Sequence, residues 1–297
     1  MVVGISGKIG SGKDEIGKIL QYLSSTGMYS FKLGLSYKGY LEVYDKREHN
    51  YQIKKYADKL KDMVCLLIGC TREQLEDREF KEKELGEEWV AYKVFTQRYH
   101  YNEYKLFNNR ELAEKFAFQF YGSDINGRVV TIKLTPRLLL QLLGTECGRQ
   151  IIHPNIWVNA LFADFEDNKS DWLSAINSNW IITDVRFPNE AKAIKDKGGI
   201  VIRVNRLKVG DVVYWDDPEG FSSGVYKIRS INNEEAWIMQ QDSMAEAQVL
   251  PSELSLFKDP QHTSETALDD YDKFDYVIEN DGTVQDLIDK VMALNIV

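Results

Sequence analysis

Gly7-Lys8-Ile9-Gly10-Ser11-Gly12-Lys13-Asp14, directly after the apolar run Val2-Val3-Gly4-Ile5, decides how this chain folds. The residues predict a strand that enters a glycine-rich turn and then a helix, whose apolar positions Ile16, Ile19, Leu20 and Leu23 recur with helical spacing. Such a turn aims several backbone N–H groups and a helix N-terminus at one spot, which suits a polyphosphate. The spacing G-x-x-x-x-G-K is that of a phosphate-binding loop. Asp14 departs from it, standing where Ser or Thr normally offers a hydroxyl to magnesium. The alternative, an ordinary glycine turn, is disfavoured by the strand before it and the helix after it.

A second α/β signal lies in Trp180-Ile181-Ile182-Thr183-Asp184-Val185-Arg186-Phe187-Pro188-Asn189-Glu190. A strand ends in an acid, Pro188 starts a helix that Gly198-Gly199 stops, and Ile200-Val201-Ile202-Arg203-Val204 forms the next strand. This strand–helix–strand unit predicts a parallel sheet. Asp184 then sits at the carboxyl end of a buried strand, where open α/β sheets place ligands, and it could orient magnesium or its waters. Between the two signals, Thr135-Pro136 opens a firm helix, with Thr as N-cap and Pro at the first helical position. At 100° per residue, Arg137, Gln141, Gly144, Thr145, Gly148 and Arg149 share one side and Leu138, Leu139, Leu142 and Leu143 spread over the other. The polar side reads as the wall of a ligand cleft. A plain solvated face is the competing reading, disfavoured because Gly144 and Gly148 each weaken a helix by about 1 kcal/mol.

Elsewhere, Ala57–Gly69 predicts a helix ended by Gly69, and Thr71 caps another through Arg72, Glu73 and Gln74. Residues 29–50 carry no clear period. Residues 76–130 are charged and aromatic, with a helix expected at Arg110–Tyr121, and have the character of a mobile substrate flap. Composition shifts at Arg206. An alternating strand and turn-rich loop within Gly210–Gly220 and short strands at 225–231, 236–239 and 247–250 predict a small antiparallel barrel or curled sheet, inserted because Tyr276-Val277-Ile278 and a helix begun by Thr283 and Asp286 resume the parent fold.

The formal net charge of −9 argues against a nucleic-acid or anionic-membrane surface, which would need clustered Lys and Arg. Cys65, Cys70 and Cys147 form no paired framework and read as free thiols in a reducing cytosol. The N-terminus runs straight into a strand, so no signal peptide is expected, and the apolar stretch at Leu138–Leu143 is too short to span a bilayer. These features together predict a soluble, cytoplasmic protein.

The loop Gly7–Asp14, the blocks Thr135-Pro136-Arg137, Gln141, Gly144-Thr145-Glu146, Gly148-Arg149, His153-Pro154 and Trp157-Val158-Asn159-Ala160, and the run Asp184–Glu190 resemble the phage-type deoxynucleoside monophosphate kinases of the phosphate-loop nucleotide kinase superfamily. The likeness is close over residues 131–204, loose over 1–205, and resumes at His262–Leu294. Asp in place of the loop hydroxyl is itself a mark of that family, whereas Glu15 replaces its usual Thr and the insertion is absent from its simplest members.

The resemblance implies a three-layer α/β phosphate-loop kinase fold with a parallel sheet, plus the inserted small antiparallel β-barrel. The kinase domain would be residues 1–205 and 262–297, with 30–130 as its substrate-flap region and 206–261 as the inserted domain. It implies an enzyme, a nucleoside monophosphate kinase that uses ATP and Mg2+ to convert deoxynucleoside 5′-monophosphates to diphosphates. ATP would be held by Gly10, Ser11, Gly12, Lys13, Asp14 and Glu15, with Lys13 neutralising phosphate charge. The acceptor would meet Arg137, Gln141, Gly144, Thr145, Arg149, Trp157, Asp184, Arg186 and Glu190. Lys13, Arg137, Asp184 and Arg186 would be catalytic, and Asp14 and Asp184 would hold the metal directly or through water. Trp157 could stack the base or serve as a core aromatic. His153 reads as a structural hydrogen-bonder, since no general base is required.

Two other readings stand beside this one. One is a small-molecule kinase of the same fold, of the adenylate or dephospho-coenzyme-A kinase type, because fold alone does not separate acceptors. The other is a nucleotide-switched module that binds a protein through the inserted barrel. Acidic Asp216, Asp217, Glu219, Glu234, Glu235, Asp242 and Glu246 speak against nucleic acid there. Tyr214, Trp215 and Trp237 would serve either self-association as a homodimer or the barrel's own core.

Overall fold

The strand and helix around the glycine loop are β1 (Val2–Gly7) and α1 (Lys13–Ser25). The computed structural model describes residues 1–25, 36–43, 49–95, 104–123, 128–165, 179–207, 212–215, 224–232, 235–240, 246–251, 254–256 and 266–296. The chain divides into two compact units, Met1–Tyr56 with Val158–Val297, and Ala57–Trp157.

In the first unit β1 is the middle strand of a five-stranded parallel sheet. The order is β13 (Tyr276–Glu279), β7 (Ile200–Asn205), β1, β6 (Trp180–Val185), β2 (Gln52–Lys54). Strand alternation assigns the layers. Val3 and Ile5 pack with Ile16, Ile19 and Leu20 of α1 and with Leu287, Ile288 and Val291 of the helix Val284–Ala293. Gly4 between them faces the opposite side, where a Cβ would lie 2.5 Å from Ile194 of the helix Pro188–Asp196. Helices therefore flank the sheet, and its inner strands β1, β6 and β7 are largely apolar and buried because both faces are covered. The expected helix start at Thr283 is a capping box with Asp286.

Register sets up the ligand end of this sheet. Ser6 stands opposite Val185 of β6 and opposite Arg203 of β7, so the glycine loop leaves β1 beside Arg186 and Val204. Lys54 stands opposite Ile182, which brings Lys55 and Tyr56 alongside Thr183 and Asp184. β2 itself carries too few residues to show a period. The helix Tyr37–Glu42 likewise falls inside the stretch that shows no period. Its hold is aromatic: Tyr37 and Tyr40 bury their rings against Tyr22 of α1, at centroid separations of 5.4 and 5.3 Å.

Residues 212–256 contain a five-stranded antiparallel sheet: β11 (Glu246–Val249), β10 (Ala236–Gln240), β9 (Gly224–Ile231), β8 (Val212–Trp215), β12 (Leu254–Leu256). Val213, Trp215, Tyr226, Ile228, Ala236, Ile238, Val249 and Leu254 form its own apolar cluster. Among the described residues β11 and β12 are the edges and do not pair, so the sheet is open there and the expected barrel closure is not seen. Trp215 belongs to the cluster, not to a free surface, whereas Trp237 is exposed. Asp216, Asp217, Glu219, Glu234, Asp242, His262 and the side chain of Tyr214 lie outside the described residues.

In the second unit, the described part of residues 76–130 carries more regular structure than the one helix expected there. Its described residues hold a three-stranded antiparallel sheet, β4 (Tyr104–Phe107), β3 (Val90–Phe95), β5 (Val129–Lys133), under the helix Arg110–Tyr121. Ala113 and Ala117, one helical turn apart, let that helix close on Val94, and Tyr92, Phe107, Phe116 and Val129 pack around them. Val90–Phe95 and Val129–Lys133 do carry β-branched and aromatic strand formers, a local signal masked by the charged residues around them. The helices Asp58–Ile68, closed by Gly69, and Arg72–Glu76, with a Thr71–Gln74 capping box, form as expected.

Ile181 is fully buried between Val3 of β1 and Ile53 of β2. Ile181→Ala is expected to lower unfolding stability by about 2–5 kcal/mol in urea titration, through lost transfer energy and a residual cavity. A loss under about 1 kcal/mol would contradict the placement of the core.

Candidate active site

Backbone geometry, more than side chains, shapes the loop after β1. Gly10 and Gly12 take φ values of 82° and 97°, open to glycine and costly for other residues. The Ser11 N–H donates to the Lys8 carbonyl at 3.1 Å, and the N–H of Ile16 donates back to Gly12, closing the first turn of α1. The Lys13 ammonium folds back to donate to the same Lys8 carbonyl at 2.7 Å. Burial first, and then the charge of Arg186, push the Lys13 pKa down to about 8 against the opposing pull of Asp14 and Asp184. The folded-state value lies below the ordinary lysine value, so the unfolded chain binds this proton more tightly. In the empty protein Lys13 therefore costs stability below about pH 8, a cost relieved as pH rises through that value toward 10.5.

The neighbouring strand ends complete this group. Asp14 Oδ1 meets the Lys55 ammonium at 2.7 Å and accepts from the Thr183 hydroxyl at 2.9 Å. Burial raises the Asp14 pKa, but the Lys55 and Thr183 contacts outweigh it and hold the carboxyl below the usual range. Asp184 Oδ1 accepts from the Tyr56 N–H at 2.8 Å. Glu190 is buried and its Oε2 accepts from the N–H groups of Arg186 and Phe187 at 2.7 and 3.1 Å. That carboxylate fixes the turn carrying Arg186, and the Tyr56 hydroxyl braces it through the Glu190 carbonyl at 3.0 Å. Glu15 accepts from the Tyr37 hydroxyl at 2.9 Å.

Lys55, Tyr56, Thr183 and Tyr37 were not legible as site residues, because only the parallel register and a helix in an aperiodic stretch bring them here. Asn280 reads in sequence only as part of a turn, yet its Nδ2 donates to the Ser11 carbonyl at 2.8 Å from a buried position.

The remaining expected residues belong to the second unit. Thr135 caps the helix Pro136–Gln141 by accepting from the Leu138 N–H at 3.2 Å, and the Arg137 Nε is paired with Glu82. From Leu142 to Ile152 the chain winds as a π-helix, so the 100° projection fails beyond Gln141. Gly144, Thr145 and Gly148 are buried. A Cβ at Gly148 would lie 3.0 Å from the Trp157 ring, and one at Gly144 would lie 2.9 Å from Leu60. These glycines admit neighbouring side chains of the same unit. Trp157 is itself buried and donates from Nε1 to the Gly144 carbonyl at 2.7 Å. His153 Nδ1 accepts from the Asn155 N–H at 3.0 Å, a local structural contact.

Among the described residues no group of three or more His, Cys, Asp and Glu gathers into a metal cage. Asp14 and Asp184 both lie close enough to Lys13 for their charges to raise its pKa. No helix among the described residues is long and apolar enough to cross a membrane.

Affinity for ATP, measured calorimetrically, is expected to fall roughly tenfold between pH 7 and pH 9 as Lys13 loses its proton. Lys13→Arg is expected to flatten the profile, because guanidinium stays charged. A flat wild-type profile would contradict the electrostatic role of this side chain.

The model of the deoxynucleotide monophosphate kinase family matches residues 1–215. A deoxynucleoside-5′-monophosphate kinase of Escherichia phage T5 is 25% identical over 209 residues, covering 66% of this chain and 72% of that relative. The match favours the deoxynucleotide acceptor over the adenylate or dephospho-coenzyme-A type. On its glycine loop, its parallel sheet and a family match across residues 1–215, the chain belongs to the deoxynucleotide monophosphate kinase family.

Proposed function

We propose that this phosphotransferase of deoxynucleoside monophosphates takes the γ-phosphoryl group from ATP, in line, and that the residues around β1 and β6 hold the donor. An ionised oxygen of the acceptor 5′-phosphate attacks the γ-phosphorus and the bond to the β–γ bridging oxygen breaks, giving ADP and a deoxynucleoside diphosphate. The nucleophile needs no general base, so catalysis is positioning and charge neutralisation. The observation that carries this reading is the loop itself, with a depressed-pKa Lys13 facing Arg186 at the carboxyl end of a parallel sheet.

The N–H groups of Gly10, Ser11, Gly12 and Lys13 would cradle the donor phosphates, with Lys13 on the β and γ groups. Ser11 Oγ is buried with no hydrogen-bond partner among the described residues, and a phosphate oxygen would satisfy it. Magnesium would be held by Asp14 and Asp184, directly or through water, and would supply charge neutralisation of the phosphates. Arg137, Arg149 and Arg186 are the candidates for gripping the acceptor phosphate or the group in transfer, since guanidinium binds phosphate in a bidentate way. Gln141, Gly144, Thr145 and Trp157 would line the acceptor site. Glu15 and Glu190 serve this reading through Tyr37 and through the Arg186 turn.

The same reading treats residues 1–205 and 262–297 as the kinase domain, with 30–130 as its substrate region. Residues 206–261 are then an accessory inserted antiparallel domain with no catalytic residue of its own. A cytoplasmic site of action on small nucleotides, and self-association through the exposed Trp237, complete it.

The experiment is a transfer assay with ATP–magnesium and each of the four deoxynucleoside monophosphates beside their ribo counterparts. Deoxynucleotide acceptors are expected to turn over. Arg137→Ala is expected to raise the acceptor KM roughly 10- to 100-fold, and Arg186→Ala to lower kcat as well. If the two arginines share one phosphate, their effects will not add in the double variant. Equal changes in both constants for both variants would overturn this division of roles.

A further inference from the structure

We propose that Asn280 is a positioning residue for the donor loop, setting the Ser11–Gly12 peptide so that the Gly12 N–H faces the bound phosphates. The inference rests on the donor-loop reading above. Asn280 is 8% exposed and directly follows β13. Its Nδ2 donates to the Ser11 carbonyl at 2.8 Å. No peptide bond described here is cis. In a planar trans peptide the C=O and N–H point in opposite directions. Drawing the Ser11 carbonyl back toward β13 therefore turns the Gly12 N–H the other way, away from Asn280.

A second observation leads to the same residue. A Cβ at Gly12 would lie 2.5 Å from Asn280 Nδ2, so the carboxamide fills the space a side chain there would need. Gly12 is thus required twice, by its φ of 97° and by its contact with Asn280. The amide itself is well fixed. The Asn280 N–H donates to the Asn205 carbonyl at 2.8 Å. Lys290 donates to the Glu279 carbonyl at 2.6 Å and pairs with Asp281, holding the turn on both sides of Asn280. The Thr283–Asp286 capping box then starts the last helix. A carboxamide held by a strand end and a capped helix can set a peptide plane, which a mobile side chain cannot.

The test compares Asn280→Asp and Asn280→Ala with wild type. Asp is nearly isosteric but turns an acceptor toward the Ser11 carbonyl. Binding of a non-hydrolysable ATP analogue and of a deoxynucleoside monophosphate is measured separately by calorimetry, with circular dichroism to verify folding. Analogue affinity is expected to fall by about tenfold or more while acceptor affinity stays within about twofold. Unchanged analogue affinity in a folded variant, or equal loss for both ligands, would overturn the inference. Lys13→Ala separates the two levels: if it too leaves analogue affinity intact, the donor-loop reading fails; if it alone weakens binding, only the role of Asn280 fails. Should neither Asn280 variant fold, amide resonances of the wild-type protein decide. The Gly12 proton is expected to move downfield when the analogue binds, and a stationary resonance would refute the proposed orientation.

Discussion

Positive charge held partly out of water, at the carboxyl ends of β1, β6 and β7, is the constraint on which the rest of this structure depends. Lys13 is buried enough to lose much of its affinity for a proton, and Arg186 and Arg203 add to the effect. Such a site is costly when empty and attractive to an anion, because desolvation and like charge both disfavour the ammonium until a phosphate arrives. Parallel strands bring these groups together. Antiparallel neighbours would send the ends of β6 and β7 to the opposite edge.

Around those charges lies a shell of residues that touch one another and fix the geometry. Tyr56 bridges two of them, donating its N–H to Asp184 and its hydroxyl to the Glu190 carbonyl. Glu190 in turn holds the N–H groups of the Arg186 turn, and Lys55 with Thr183 holds Asp14 by a single oxygen, Oδ1. Both contacts on one oxygen set the carboxylate's plane and orient Oδ2. On the far side, Lys8 and Arg203 converge on Asp269 at 3.5 and 3.2 Å, tying the loop and β7 to a segment near the C-terminus. Residues some 260 positions apart thus brace one loop, as Lys8 and Asp269 do.

Much of the first unit was legible in the sequence because its signals are local. The glycine loop, the apolar strands, the proline-started helix at 188 and the Thr283 cap each reveal themselves within a few residues. The Thr135-Pro136 start was equally plain, yet the face drawn beyond it failed, since nothing in Leu142–Ile152 announces a change from α to π winding. Strands β3, β4 and β5 hide among charged and aromatic residues, because a helix with two alanines covers one face of that small sheet. Lys55, Tyr56 and Asn280 reach the site by register and by strand order. Those are long-range properties that no window of residues contains.

The central claim is that Lys13 is kept at a cost in stability for the sake of a bound polyphosphate. Thermal unfolding of wild type and Lys13→Met at pH 7, with and without a non-hydrolysable ATP analogue and magnesium, tests it most directly. The methionine stem preserves packing while removing the charge. Without ligand, the variant is expected to be at least as stable as wild type. At a hundredfold excess of analogue over Kd, a Tm gain of about 5 °C is expected for wild type and little gain for the variant. A variant less stable when empty, yet stabilised by the analogue as much as wild type, would contradict it.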